Sequence, residues 1–133
     1  MNYVDYIKQN EGLKLKPYKC TSGKLTIGYG RNLEDKGISK SEAEMMLMND
    51  LSTCRRKCHD LFTVFDDLSE NRRTVLIDMM FNLGYNGLSK FTKMCNAVNK
   101  GKYILASIEL LDSNYAQQVP NRADRNAALM REG

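Results

Sequence analysis

Between Leu13 and about Leu33 the apolar period of this chain drops to two. Leu13, Leu15 and Pro17 alternate with lysines, Thr21-Ser22-Gly23 makes a turn, and Lys24 to Gly30 alternates again. Gly23, Gly28 and Gly30 punctuate the stretch, which reads as a small antiparallel meander. A sheet this short is not stable alone and must lean on helices, so the rest of the chain has to supply them.

It does. Asn2 can cap a first helix whose apolar face is Tyr3, Val4, Tyr6 and Ile7, and Gly12 is a natural stop, which leaves Glu11 at the helix end. Ser39-Lys40-Ser41-Glu42 is a capping-box pattern, followed by Ala43, Leu47, Leu51, Cys54, Cys58 and Leu61 at helical spacing, one helix of about twenty residues. Ser69 opens another helix, carrying Val75, Leu76, Met79, Met80 and Leu83 and closing at Gly84. Ser89 to about Lys100 is amphipathic through Phe91, Met94, Cys95 and Val98, Tyr103 to Leu111 forms a shorter apolar helix, and Asn121 to Met130 follows Pro120 as the last. The expected class is α+β, mainly helical. The eight methionines, Met45-Met46 and Met79-Met80 among them, are expected as core filler.

A chain of 133 residues with 42% hydrophobic and 27% charged residues can bury the core of one domain without metals or disulfides. No run approaches the 18 or so apolar residues of a membrane span, and Asp5 and Glu11 stand where a signal peptide would be apolar. The expectation is a monomer made in a cytoplasm, with no stable membrane insertion. The net charge of +4 favours an anionic partner only weakly. Arg55-Arg56-Lys57 and Arg72-Arg73 suit solvated helix faces better than phosphate contacts, so no nucleic acid is expected. The four cysteines, Cys20, Cys54, Cys58 and Cys95, are expected as free thiols in such a compartment. A zinc site on Cys54, Cys58 and His59 lacks a fourth ligand at suitable spacing, so neither metal nor cofactor is expected. His59, the single histidine, falls on the polar side of its helix and is expected to be solvated.

Glu11 stands where a helix ends and the meander begins. By position alone it is either a solvated helix-end residue or a functional carboxylate; a negative charge there opposes the helix dipole, a mild sign of function. Glu11-Gly12-Leu13, Tyr18-Lys19-Cys20-Thr21 and Thr26-Ile27-Gly28-Tyr29-Gly30 resemble the catalytic segment of the phage lysozymes, glycoside hydrolase family 24. Ile38-Ser39-Lys40, Glu42-Ala43-Glu44, Asn82-Leu83-Gly84, Gly87 to Thr92 and Pro120-Asn121-Arg122-Ala123 with Arg125 also resemble the T-even phage lysozymes, so the resemblance covers nearly the whole chain. The family spacing of Glu, eight residues, Asp or Cys, five residues, Thr is met by Glu11, Cys20 and Thr26.

The resemblance implies a single lysozyme-like domain: a β-meander lobe at about 13–35, a joining helix at about 39–60, and a larger helical lobe of about 61–133 together with the N-terminal helix 1–12. It implies hydrolysis of the β-1,4 bond between N-acetylmuramic acid and N-acetylglucosamine in peptidoglycan. Glu11 then corresponds to the general acid, with burial raising its pKa and Arg122, which matches an arginine contacting this glutamate, lowering it. Thr26 corresponds to the residue orienting the attacking water, and Asn82 and Tyr115 to substrate contacts, although Asn82 could equally end its helix and Tyr115 could be core.

Cys20 stands where the best-known relatives have aspartate. An unperturbed thiol is only about 3% thiolate at pH 7, unless cations such as Lys19, Lys24 or Arg31 lower its pKa. Inversion through an activated water is favoured over attack by the sulfur itself; the bland alternative is an inert strand residue. The expected role is that of a phage endolysin released by a separate holin. The alternatives are a phage-tail or secreted antibacterial enzyme of the same fold, a non-catalytic peptidoglycan-binding module, and a small basic nucleic-acid binder.

Overall fold

The first helix begins where Asn2 caps it: Asn2 Oδ1 accepts a hydrogen bond from the Asp5 amide at 2.8 Å, and the helix stops at Gly12. The structure, a computed structural model, describes residues 2–133. They fall into two compact units, residues 2–46 and 47–133.

The first unit contains α1 (Tyr3–Glu11), three strands, β1 (Lys14–Lys19), β2 (Leu25–Gly28) and β3 (Arg31–Asn32), a short α2 (Leu33–Lys36), and the start of α3 (Lys40–Leu61). The strands form the expected antiparallel meander in the order β1-β2-β3. Tyr18 pairs with Thr26 and Lys19 with Leu25, whereas Lys14 pairs with Gly28, so the register slips between Lys14 and Tyr18. Pro17, which has no N–H for a ladder, lies in that slip. The turn joining β1 to β2 closes through the Gly23 amide on Cys20 O at 2.8 Å and the Cys20 amide on Lys24 O at 3.0 Å.

The capping box forms as the sequence predicts: the Glu42 amide donates to Ser39 Oγ at 3.1 Å and the Ser39 amide to Glu42 Oε1 at 2.9 Å. Arg31 of β3 adds a bidentate pair to the same carboxylate, at 2.8 and 2.6 Å, and a bond to Gly37 O at 3.2 Å. β3 is thereby tied to the N-terminus of α3. Helix α2, not anticipated, is capped by Asn32 Oδ1, and Glu34 holds it to β2 by accepting from the Leu25 amide at 2.9 Å. The apolar side chains of α1, expected to be covered, are exposed: the first unit's sheet offers little apolar surface, with β1 itself exposed along most of its length.

The second unit takes the rest of α3, a 3₁₀ turn (Phe65–Asp67), α4 (Glu70–Ser89), α5 (Thr92–Asn99), α6 (Tyr103–Leu111), α7 (Asn114–Gln118) and α8 (Pro120–Glu132). Its core joins Cys58, Phe62, Phe65, Leu76, Met79, Met80, Met94, Leu110 and Met130, side chains that each contribute about 2 kcal/mol by leaving water. Ser69 Oγ caps α4 by accepting from the Arg72 amide at 3.2 Å. At Gly84 the backbone turns left-handed (φ 73°), so the expected stop is real, but a further helical segment resumes after it and runs to Ser89. The next helix therefore starts at Thr92 rather than Ser89, with half-buried Phe91 at its N-cap. Helix α7 escaped the sequence pattern because it is five residues long; Ser113 Oγ caps it through the Ala116 amide at 3.3 Å. Core methionines are Met79, Met80, Met94 and Met130, whereas Met45, Met46 and Met48 are exposed on a stretch of α3 that buries no side chain before Cys54.

The Arg31 pair, followed by the Ser39 amide, holds the Glu42 carboxyl down to about 2. A carboxyl depressed in the folded state stabilises the fold above its unfolded pKa of about 4.3, and that contribution is lost as pH falls toward the folded value. Glu42→Gln is therefore expected to lower the melting temperature at pH 7, with the deficit shrinking between about pH 4.3 and pH 2, as followed by circular dichroism.

Candidate active site

Glu11 is the last residue of α1, exposed, and aimed at the turn after β2. A Cβ on Gly30 would lie 2.5 Å from Glu11 Oε2 and 2.9 Å from its carboxyl carbon. The carboxylate thus rests on bare backbone at Gly30, a residue whose φ of 75° independently favours glycine.

Thr26 comes from β2, where a β-branched residue suits a strand, and is 3% exposed. Its hydroxyl donates to Lys24 O at 2.8 Å, so its single proton is committed and what remains is acceptor capacity. Cys20 follows the last residue of β1 and is half-buried. Its Sγ lies 3.1 Å from Ser22 Oγ. That hydroxyl, then the backbone N–H groups of Lys24 and Ser22, bring the thiol down to about 7, against the opposing effect of burial. Donors from the hairpin turn lower it, not the lysine and arginine charges that sequence proximity suggested. At pH 7 about half of such a thiol is thiolate. The other cysteines differ: burial pushes Cys58 up to about 12 and Cys95 to about 11, and Cys54 is raised as well. The first unit thus carries Cys20 and Thr26 on the β1–β2 hairpin and Glu11 at the end of α1, against the turn after β2.

In the second unit, Arg122 of α8 makes a bidentate pair with Asp78 of α4, its Nε at 2.9 Å from Oδ2 and its Nη2 on Oδ1. Both are about a third exposed. Arg122 holds the Asp78 carboxyl below the usual range, and Asn126 Nδ2 donates to Asp78 Oδ2 and to the Tyr115 hydroxyl, at 2.9 and 3.0 Å. Tyr115 is 3% exposed and meets Phe91 edge-on at 6.2 Å, so its ring is packed in the core and burial raises its hydroxyl pKa. Asn82 is exposed and lies one helical turn beyond Asp78 on the same face of α4. Sequence reasoning missed Asp78, Asn126, Ser22 and the contact at Gly30. Asp78 did carry a signal, as a lone carboxylate within the apolar run Val75 to Met80. Ser22 carried none. His59 lies on α3 with Nε2 3.4 Å from Asp66 and its ring edge-on to Phe65.

Among the described residues no helix is long and apolar enough to cross a membrane, and no group of three acidic, histidine or cysteine side chains could hold a metal.

Residues 8–128 match the sequence model of the Phage lysozyme family. Probable T4-type lysozyme 2 of Dictyostelium discoideum is 30% identical over 158 aligned residues, covering 97% of this chain and 93% of that protein. An Endolysin of Acyrthosiphon pisum secondary endosymbiont phage 1 is 31% identical over 79% of this chain and 72% of its own length. The Pre-baseplate central spike protein Gp5 of Enterobacteria phage T4 is 26% identical over the whole of this chain, which spans 28% of that protein. With a family match running from within α1 to within α8, on a fold of small meander and larger helical unit, the chain belongs to the phage lysozyme family and is a hydrolase of the lysozyme type.

Proposed function

We propose that the protein cleaves the β-1,4 bond between N-acetylmuramic acid and N-acetylglucosamine in bacterial peptidoglycan, with Glu11 as general acid, Cys20 as base and Thr26 as the residue that orients water. The observation that carries this reading is the Cys20 thiol seated in the β1–β2 turn with Sγ 3.1 Å from Ser22 Oγ, a contact that with the turn amides lowers the thiol toward neutrality and suits it to act as a base where the commoner residue is a carboxylate. Protonated Glu11 gives its proton to the departing glycosidic oxygen as the C–O bond breaks. The thiolate takes a proton from a water whose oxygen attacks the anomeric carbon from the other face, with inversion. Thr26 Oγ1, its own proton given to Lys24 O, accepts a hydrogen bond from that water. Proton exchange with solvent then recharges Glu11 and discharges Cys20.

Arg122 and Asn82 are the polar groups we assign to glycan contact. Tyr115 acts through Asn126, by holding the Asp78–Arg122 pair in place. In this reading the enzyme is a monomeric endolysin that accumulates in the host cytoplasm and reaches the wall after a holin opens the inner membrane. The similarity to a spike protein favours one second reading, the same hydrolysis carried out within a phage tail.

Four measurements check the assignment. Glu11→Gln keeps the helical circular dichroism spectrum and loses the clearing of purified cell walls, because an amide has no proton to give; clearing near the parental rate refutes it, and a non-catalytic binding module would clear walls in neither form. Cys20→Ala is expected to lose on the order of a hundredfold in rate. Cys20→Asp stays active and works to lower pH than the parent, whose activity falls as the thiol protonates below about 7 while aspartate stays ionised to about 4. In the native protein a thiol reagent meets one fast cysteine with a reactivity midpoint near 7, which Ser22→Ala raises; all four cysteines react once the chain is unfolded.

A further inference from the structure

Helix α6 is apolar on two opposite faces. One face, Ala106, Ser107 and Leu110, is buried in the second unit's core. The other carries Ile104, Leu105, Ile108 and Leu111, which recur at helical spacing along one side and are 64%, 43%, 56% and 42% exposed. A surface helix normally turns a polar face to water, and a contiguous aliphatic stripe marks a site of contact. The stripe also has a charged border. Lys93, Lys100 and Lys102 line one shallow depression with Leu105, against a single carboxylate, Glu109. On the other flank Lys102 and Arg131 line a second with Ile104 and Leu105. Arg131 is partly neutralised by Glu132 at 3.3 Å, and Arg72 is already engaged with Met130 O, Arg131 O and the Tyr103 ring. Glu109 and, beside Lys93, Asp112 offset part of the charge on this border, and the excess lies with the three lysines.

We propose that the outer face of α6 docks on an anionic lipid surface, its aliphatic stripe entering the headgroup boundary while Lys93, Lys100 and Lys102 reach the lipid phosphates. Aliphatic side chains edged by lysines are the composition of a helix lying in a membrane interface, where the long lysine stems let the ammonium groups stay at headgroup level. A second copy of the chain fits less well, since a two-fold contact would bring the same lysines together. A polyanionic glycan would satisfy the lysines and leave the stripe in water.

The chain has no tryptophan, so Ile108→Trp provides a single reporter. With phosphatidylglycerol-containing vesicles its emission is expected to shift to the blue and the protein to sediment with the vesicles. Vesicles of phosphatidylcholine alone give neither effect, and ~0.5 M salt weakens both. Ile104→Ser with Ile108→Ser, and separately Lys100→Ser with Lys102→Ser, are each expected to lower vesicle affinity about tenfold or more while clearing of purified walls stays at the parental rate. Absence of co-sedimentation with anionic vesicles overturns the proposal. So does equal binding to neutral vesicles, or a dimer in sedimentation velocity that Ile104→Ser with Ile108→Ser dissolves in the absence of lipid.

Discussion

One guanidinium holds the small sheet of the first unit to a helix. Arg31 spans both oxygens of Glu42, and Glu42 also closes the first turn of α3 by accepting from the Ser39 amide. A sheet whose third strand is only Arg31–Asn32 has no hydrophobic face large enough to fix it. Positional order must come from directed bonds, and a bidentate arginine pair is the kind that sets an angle as well as a distance. Ser22, Thr26 and Gly30 are useful to Cys20 and Glu11 only to the extent that this sheet keeps its shape.

The second unit solves the complementary problem. Its core has ample apolar surface, and Asp78 brings a carboxylate to the edge of it. Burial of that group is tolerable because Arg122 and Asn126, four residues apart on α8, both reach it, and Asn126 also satisfies the buried Tyr115 hydroxyl. The network fixes how α8 lies on α4, so that the position of Arg122 is set by a group that meets no glycan in the proposed mechanism.

What could be read from the sequence follows from the range of the forces involved. Caps act over three residues, so Asn2, Ser39 with Glu42, and Ser69 announced their helices, and the meander showed itself through its period and its turn. Helices α2 and α7 are too short to display a period, and Gly84 ended one helical segment without preventing the next. The triad of Glu11, Cys20 and Thr26 came from spacing within a resemblance, which carries identity but no hydrogen bonds. The ionisation of Cys20 could not be inferred that way. It depends on where a turn points Ser22 Oγ and two amides, whereas sequence proximity pointed to lysine charges. The exposure of Tyr3, Val4, Tyr6 and Ile7 is likewise a matter of what the neighbouring sheet can cover.

The contact between Glu11 and Gly30 has a consequence for how variation in this protein will register. Position 30 contributes no functional group, yet any side chain placed there competes with the Glu11 carboxylate for the same volume and must also accept a left-handed backbone. If Glu11 is the acid we propose, a complete substitution survey would score an atom-poor, chemically silent residue as strictly as Glu11 itself. Intolerance at Gly30 would measure a vacancy reserved for a neighbour, and a map of sensitivity alone would draw the reactive centre one residue too wide.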